Sequence, residues 1–477
     1  MPLKLYISFI LSILSLGSVQ AQHWEALSPR LESQFVGSFY HDTVTDHLYH
    51  TGQYLVNGSP GGLFRWDSLG NFEKLDSTVS QTPHSNYSKS VLRHNNELFV
   101  GGVYKYMGDT NNPINCLSIL DNDSFYPTSV RLDTWNPSIN TLYSYKGNLL
   151  IGGAFDSING LFAPGMVLWD GVEFRTMPVI QSRNYLAVDV HVFAEYKDNL
   201  YVGGLFSKSK QERNLQVLAN DRWQKVNGWQ VLGLFGEVFT MKVYKGELYI
   251  GGTFSKQHGG IANYIVKYDG EHFYELGEGF DFYVYDFEVY NDYLYVFGLF
   301  EEVDGLPCPS KVARWDGERW CRFSSDSIET YRGISDGIFY HDSLYVTGRF
   351  DSISNDKSIV NTAKWTGDLE TTICHPDKAN IQKVGVYDVG VSELEGEQET
   401  FSFYPNPTSG LVTIQSEKWM DIGVVDLSGR VLLRQSIHPG GQSMDLSNLS
   451  SGAYYLISID PKELPARNGH SGLLIKY

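Results

Sequence analysis

The sequence predicts an all-β protein, a seven-bladed β-propeller followed by a small Ig-like β-sandwich. Three observations carry that prediction. A phrase ending in one or two glycines, typified by Leu200-Tyr-Val-Gly-Gly204, recurs seven times at a spacing of about fifty residues. A second phrase, typified by Arg314-Trp-Asp-Gly317, follows it in most repeats. Past residue 400 the fifty-residue period stops, and short apolar runs alternate with Gly, Asn and Ser turns. Composition agrees: 14% of residues are aromatic, 31 of them tyrosine, and large flat side chains pack well on a pleated surface.

The first element is a leader. Lys4 precedes an apolar run from Leu5 to Leu16, and Val19-Gln-Ala21 places small residues two positions apart. Residues 1–21 therefore read as a secretory signal peptide cut after Ala21. The run is too short for a hydrocarbon core of about 30 Å. No later stretch approaches that length, so no transmembrane segment is expected in the mature chain. At 477 residues, two or more domains are expected. A net charge of -18, from 37 basic and 55 acidic residues, excludes nucleic acid and anionic membrane as partners.

Residues 22–380 hold the repeats. The glycine phrases end at Gly52, Gly102, Gly153, Gly204, Gly252, Gly298 and Gly348, with intervals of 50, 51, 51, 48, 46 and 50 residues. A tight turn precedes most of them, as in Tyr145-Lys-Gly-Asn148 and Tyr196-Lys-Asp-Asn199. Downstream, Leu168-Trp-Asp-Gly171, Lys267-Tyr-Asp-Gly270 and Arg314-Trp-Asp-Gly317 read as two-residue Asp-Gly hairpins. Each repeat thus holds four antiparallel strands; in the fifth they are about 239–244, 247–254, 263–268 and 272–276. Seven such units form a propeller, with a linear β-solenoid as the alternative. Glycine pairs weaken a strand unless neighbouring backbones or blades approach closely there. His23-Trp-Glu-Ala-Leu27 resembles a fourth strand lying ahead of the first repeat, and would complete blade seven beside Trp365. Residues 369–373 are the local alternative.

With Ala313-Arg-Trp-Asp-Gly-Glu-Arg-Trp320, these phrases resemble the kelch-like propeller repeats of secreted and surface proteins. That resemblance implies a fold and leaves function open, because propellers host binding modules, lyases, hydrolases and oxidases. Turns between strands one and two, and three and four, are short and share one face. The longer connections between strands two and three (104–115, 156–164, 207–214, 255–262, 301–309 and 351–361) share the other, where binding usually resides. They carry Tyr104, Tyr106, Asp109, His258, Asp304, Asp351 and Asp356. Aromatics and carboxylates suit sugar stacking or calcium, although no Asp-x-Asp-x-Asp-Gly loop occurs. No zinc-protease helix, Gly-x-Ser-x-Gly elbow or P-loop is present. The expected role is a non-catalytic glycan- or protein-binding module, with no cofactor predicted. The alternatives are an extracellular polysaccharide hydrolase or lyase and a structural surface component.

Of the four cysteines, Cys116, Cys308, Cys321 and Cys374, none forms a Cys-x-x-Cys pair, and a chain this long needs no disulfide framework. With Asp316-Gly317 as a two-residue turn, Val312 faces Cys321. Cys308 then lies four strand residues away, beyond disulfide reach.

Residues 381–400, with Ser392-Glu-Leu-Glu-Gly-Glu-Gln-Glu-Thr400, form an acidic linker. Residues 401–477 resume short strands separated by turns, as in a small sandwich. Their motifs are Tyr404-Pro405-Asn406-Pro407-Thr-Ser-Gly410, Asp426-Leu-Ser-Gly429-Arg430, Leu449-Ser-Ser-Gly452-Ala-Tyr454 and the Lys476 ending. In this order they resemble the type A sorting domain of the Bacteroidetes type IX secretion system. Pro405, Asn406, Pro407, Gly410, Gly429, Gly452 and Lys476 are the matching sorting-motif positions. The resemblance implies passage through the type IX machinery, then release or joining to surface lipopolysaccharide. The expected location is secreted or on the outer-membrane surface. The insertion 460–472 and the terminal Tyr477 depart from the family pattern.

Overall fold

The computed structural model describes residues 23–27, 30–56, 59–75, 87–104, 116–128, 130–133, 137–180, 188–206, 214–229, 236–258, 261–369, 373–384, 401–404, 410–416, 419–425, 431–450, 452–459 and 471–476. They fall into two compact units, one ending at Val384 and one built from the strands after Phe401. The fold is all-β: among the described residues the regular structure is strand, apart from one 3-10 turn at Lys256–His258.

Among the described residues the larger unit contains seven antiparallel sets of four strands, the third and fourth joined into one larger sheet through an Ala154–Asp189 pair. The fifth runs Val238–Tyr244, Glu247–Gly252, Ile265–Tyr268 and Phe273–Leu276, each strand beside the next in sequence. The first strands of the seven sheets are Glu32–Asp42, Tyr87–His94, Ser138–Tyr145, Asp189–Tyr196, Val238–Tyr244, Val284–Tyr290 and Ile328–Tyr340. Each packs against the first strand of the following sheet, and Ile328–Tyr340 packs against Glu32–Asp42, so the series closes on itself. Among the described residues the seventh sheet has no local fourth strand. Trp24–Ala26 supplies it, with Trp24 opposite Trp365 and Ala26 opposite Ala363. Of the two expected routes to that strand, the N-terminal one is observed; Ile373–Cys374 pairs instead with Trp320–Arg322 of the sixth sheet.

Tyrosines tie the sheets together. Tyr196 donates its hydroxyl to Gly246 O at 3.1 Å, and Tyr244 donates to Asp292 O at 2.6 Å. Tyr340 makes the same bond across the closure, to Asp46 O at 2.8 Å.

The two glycines of each pair do different work. A Cβ on Gly203 would sit 2.6 Å from Val238 Cγ1 of the next sheet, and one on Gly251 would sit 2.6 Å from Val284 Cγ1. Following glycines face their own first strand, with Gly204 against Asp189 O and Gly252 against Glu237 O. The first glycine therefore seats the neighbouring sheet, and the second admits a backbone carbonyl.

The turns separate into two kinds. Between strands one and two, Lys197 and Asp198 have φ of 48° and 60°, and Asn291 and Asp292 have 45° and 62°, the conformation of a two-residue primed hairpin. The Asp-Gly turns differ from the expected two-residue form. Asp316 Oδ1 accepts the N–H groups of Glu318 and Arg319 at 2.7 and 2.6 Å, so the loop spans four residues. Asp170 and Asp269 do the same. An Asp side chain that closes its own turn competes with the shorter hairpin. Cys321 consequently faces Arg314 rather than Val312.

After the seventh sheet the chain folds back along the sixth and fifth. Ile373–Cys374 and Ile381–Lys383 add outer strands to those sheets. A Cys321–Cys374 disulfide staples the return, closing 53 residues. Sequence spacing gave no hint of this bond. Cys308 stays unpaired and buried, as expected, and so does Cys116. The strand at 381–383 also moves the head of the linker: those residues belong to the larger unit, and 385–400 lie outside the described residues.

The smaller unit has a three-stranded sheet (Phe401–Tyr404, Leu411–Ser416, Gly440–Asp445) and a four-stranded one (Val431–Ile437, Met420–Val425, Gly452–Ile459, Ser471–Lys476). Val412, Ile414, Met444, Ile422, Val424 and Leu456 from both sheets share one core. Along Leu411–Ser416 the alternate residues Val412, Ile414 and Ser416 are buried, as packing of two sheets requires.

Candidate functional site

Where the second glycine of each pair admits a carbonyl, the opposing first strand carries a bulge. Register slips past Lys89, Asn140, His191, Phe239, Tyr285 and Ser335, and past Gly37 and Ser38 in the first sheet. A bulge re-aims the extra side chain out of the pleat. Because the seven first strands form the closed inner series, the bulged residues come together as a ring.

Contacts link the members from Ser38 round to Tyr285, with Asn140 reaching His191 through Asp189. Ser38 Oγ donates to Lys89 O at 2.8 Å, and Lys89 Nζ donates to Asn140 Oδ1 at 2.6 Å. Asn140 Nδ2 donates to Asp189 Oδ1 at 2.5 Å and to Val190 O at 3.0 Å. His191 lies 3.4 Å from Asp189 Oδ2 and 4.0 Å from Glu237 Oε2, and its ring stacks on Phe239 at 5.2 Å. Phe239 meets Tyr285 at 5.7 Å. One arc of the ring is thus polar and the other aromatic.

Electrostatics differ along it. Burial pushes the Lys89 ammonium down, against the opposing pull of Asp189. Burial also works to raise Asp189, but the His191 bond and the charges of His191 and Lys89 hold it below the usual carboxylate range. Glu237 is pushed up by burial and by Asp189.

Beside the aromatic arc, residues further along the first strands add a second layer. Thr240 donates to Asp286 Oδ1 at 3.4 Å, and Lys242 pairs with Glu288 at 2.7 Å. Asp336 hydrogen-bonds to Asp286, and its Oδ2 also accepts the Phe39 N–H across the closure. Burial and the Asp286 carboxylate push Asp336 well above the ordinary range, because two adjoining carboxyls cannot both ionise cheaply. A carboxyl raised by the fold stabilises while protonated. Its contribution is complete below the unfolded pKa and is lost as pH rises through the folded value. Asp336→Asn, which keeps an acceptor for Phe39 and a donor for Asp286, should therefore raise stability at neutral pH by on the order of 1 kcal/mol. The gain should vanish near pH 4. Thermal melts of both proteins across that range check it, and a variant destabilised at every pH would refute the shared proton.

Of the residues expected on the long-connection face, the described ones serve separate local roles. Tyr104 is buried, 3% exposed, and bonds Val100 O and Ser118 Oγ within the second sheet, so it is a packing residue. Tyr106 and Asp109 lie outside the described residues, as does the side chain of His258, which closes the 3-10 turn. Asp304 accepts the Glu278 N–H at 2.8 Å and borders a cavity of about 660 Å³ with Lys256, Asn263, Glu278, His375 and Lys378. Asp356 holds the Ser358 N–H and hydroxyl, and Asp351 is exposed on its strand. Among the described residues no three His, Cys, Asp or Glu side chains form a metal-holding group.

The sorting positions are described in part. Gly410 is buried against Ser447, Gly452 opens the strand Gly452–Ile459, and Lys476 pairs with it. Pro405, Asn406, Pro407 and Gly429 lie outside the described residues. Residues 402–463 match the Secretion system C-terminal sorting domain. That domain marks the chain for type IX secretion, to the cell surface or extracellular space, and for contact with the secretion machinery.

No curated protein matches the chain. Among solved structures, PorZ of Porphyromonas gingivalis, an essential bacterial surface component of the type IX secretion system, aligns at 10% identity and a TM-score of 0.35 over 90% of this chain and 68% of its own. The extracellular domain of BT4673 from B. thetaiotaomicron aligns at 12% identity and 0.22, over 95% and 75%. No described helix is long and apolar enough to cross a membrane.

Proposed function

We propose that the seven sheets are the blades of a kelch-like β-propeller, residues 22–384, carrying an Ig-like sorting domain at 401–477. In this reading residues 1–21 are a signal peptide, and 385–400 form the linker. The propeller is a non-catalytic module that binds a glycan or protein ligand at the ring of bulged residues. Release or attachment to surface lipopolysaccharide follows sorting.

The ring carries this proposal. Its side chains are turned out of the sheet cores and stay partly exposed, polar on one arc and aromatic on the other. Packing alone asks for neither. The hydrolase alternative has one specific observation, the Asp286–Asp336 pair. Those carboxyls are in hydrogen-bond contact, closer than the roughly 5 Å or more that flanks a glycosidic bond. Binding is therefore favoured over hydrolysis. Glycan arrays and pull-downs with the mature chain test the reading. A ligand lost on Lys89→Ala or Tyr285→Ala supports it; ligands that ignore both substitutions would place binding elsewhere.

A further inference from the structure

The aromatic arc continues beyond the ring. From His191 and Phe239 it passes to Tyr285, then Tyr283 at 6.4 Å, Phe282 at 4.2 Å and Tyr264 at 6.1 Å. The path leads from the inner strands to the connection between the fifth and sixth sheets. Phe282 there is 39% exposed, while Tyr264 is buried and anchors the far end. Phe239, Tyr283 and Tyr285 are all partly exposed. Tyr264 and Tyr283 pack on the core beneath, while Phe239, Tyr285 and Phe282 keep exposed surface, so the rings form a stepped, partly open track.

Charged groups beside the track narrow its ligand: Arg332 lies near Tyr285 and Lys89 near Asp189, but carboxylates stand at both ends. Asp189 and Glu237 flank the inner end and Asp281 the outer. Asp189 is engaged by Asn140 and His191, and Asp281 holds the N–H groups of Glu301 and Glu302 at 2.9 and 3.0 Å. The buried Nδ1 of His191 makes no hydrogen bond among the described residues and lies 4.0 Å from the Glu237 carboxylate. Stacked bases would fit the rings, but these carboxylates repel phosphate. A ligand with flat apolar faces and hydroxyl edges, and without negative charge, satisfies both features.

Resting on the binding reading above, we infer that this track is a subsite for a neutral pyranose oligosaccharide. Its sugar faces stack on Phe239, Tyr285 and Phe282, and its hydroxyls bond Glu237. The test is titration of the full mature chain with neutral glucan, mannan and N-acetylglucosamine oligosaccharides, followed by calorimetry and tyrosine fluorescence. At least one should bind, and Tyr285→Ala and Phe282→Ala should each weaken it about tenfold. Phe282 is exposed, so its substitution leaves the fold intact. Lys245→Ala, on the short-turn face, should leave affinity unchanged. Equal binding by the Phe282 and Tyr285 variants overturns the subsite. Failure of every sugar, with a protein ligand lost on ring substitutions, overturns the sugar while leaving the binding reading standing. Failure of both ligand classes removes both.

Discussion

Gly252→Ala should destabilise the larger unit by about 3 kcal/mol, at the upper end of overpacking costs. The added Cβ would meet the Glu237 carbonyl oxygen, and that atom is backbone held by the bulge at Phe239. A flexible side chain could swing aside; a carbonyl inside a paired strand cannot. Relief requires moving Glu237 and Phe239 together, so the substitution should also disturb the ring. Gly441→Ala is the control, because its Cβ would meet nothing closer than 3.6 Å. Urea unfolding of both variants decides the matter. A Gly252→Ala midpoint equal to that of the parent would mean that the bulge is not held by this contact.

The second large effect concerns closure. Trp24 is 2% exposed; it packs edge-on against Trp365 at 5.0 Å and tilted against Phe323 at 5.9 Å. It is also the principal apolar anchor of a three-residue strand, whose remaining residues, Glu25 and Ala26, are exposed. Trp24→Ala should therefore cost about 3–5 kcal/mol, the range for deleting a buried aromatic. Freed of its anchor, the strand should leave the edge of Thr362–Trp365, with hydrogen exchange rising along 362–365. Trp419→Ala, at a residue 63% exposed, should change stability little. If amides at 362–365 stay protected in Trp24→Ala, the strand is held by backbone pairing alone.

Much of the fold was legible because period and turn chemistry are local. The glycine phrase marks the second strand of every sheet, and the N-terminal Trp-x-Ala stretch reads as a displaced fourth strand. The Asp-Gly turns were misread because the dipeptide signals a hairpin without revealing that the Asp carboxylate will cap its own loop. Tyr104 looked like a ligand-facing aromatic, yet its position just past the second strand turns it into the core.

The ring itself was hidden. A bulge depends on how many residues two strands place opposite each other, which one strand's pattern does not show. The available signal is a polar residue at one repeat position of the first strands: Lys89, Asn140 and His191 share the spacing of the glycines. The Cys321–Cys374 bond depends on a chain reversal that no spacing rule encodes.

The strand at Trp24–Ala26 has a consequence for the order of events during synthesis. Its partner Trp365 follows 341 residues later (365 minus 24), so among the first described residues to be made is a segment whose pairing must await nearly the last of the repeats. Pairing across such a separation raises contact order and slows completion of the fold. Until residues 362–365 are available, both edges of the unfinished array stay open and prone to mispairing. A chain bound for export gains from that delay, because an array that cannot lock early stays threadable for longer.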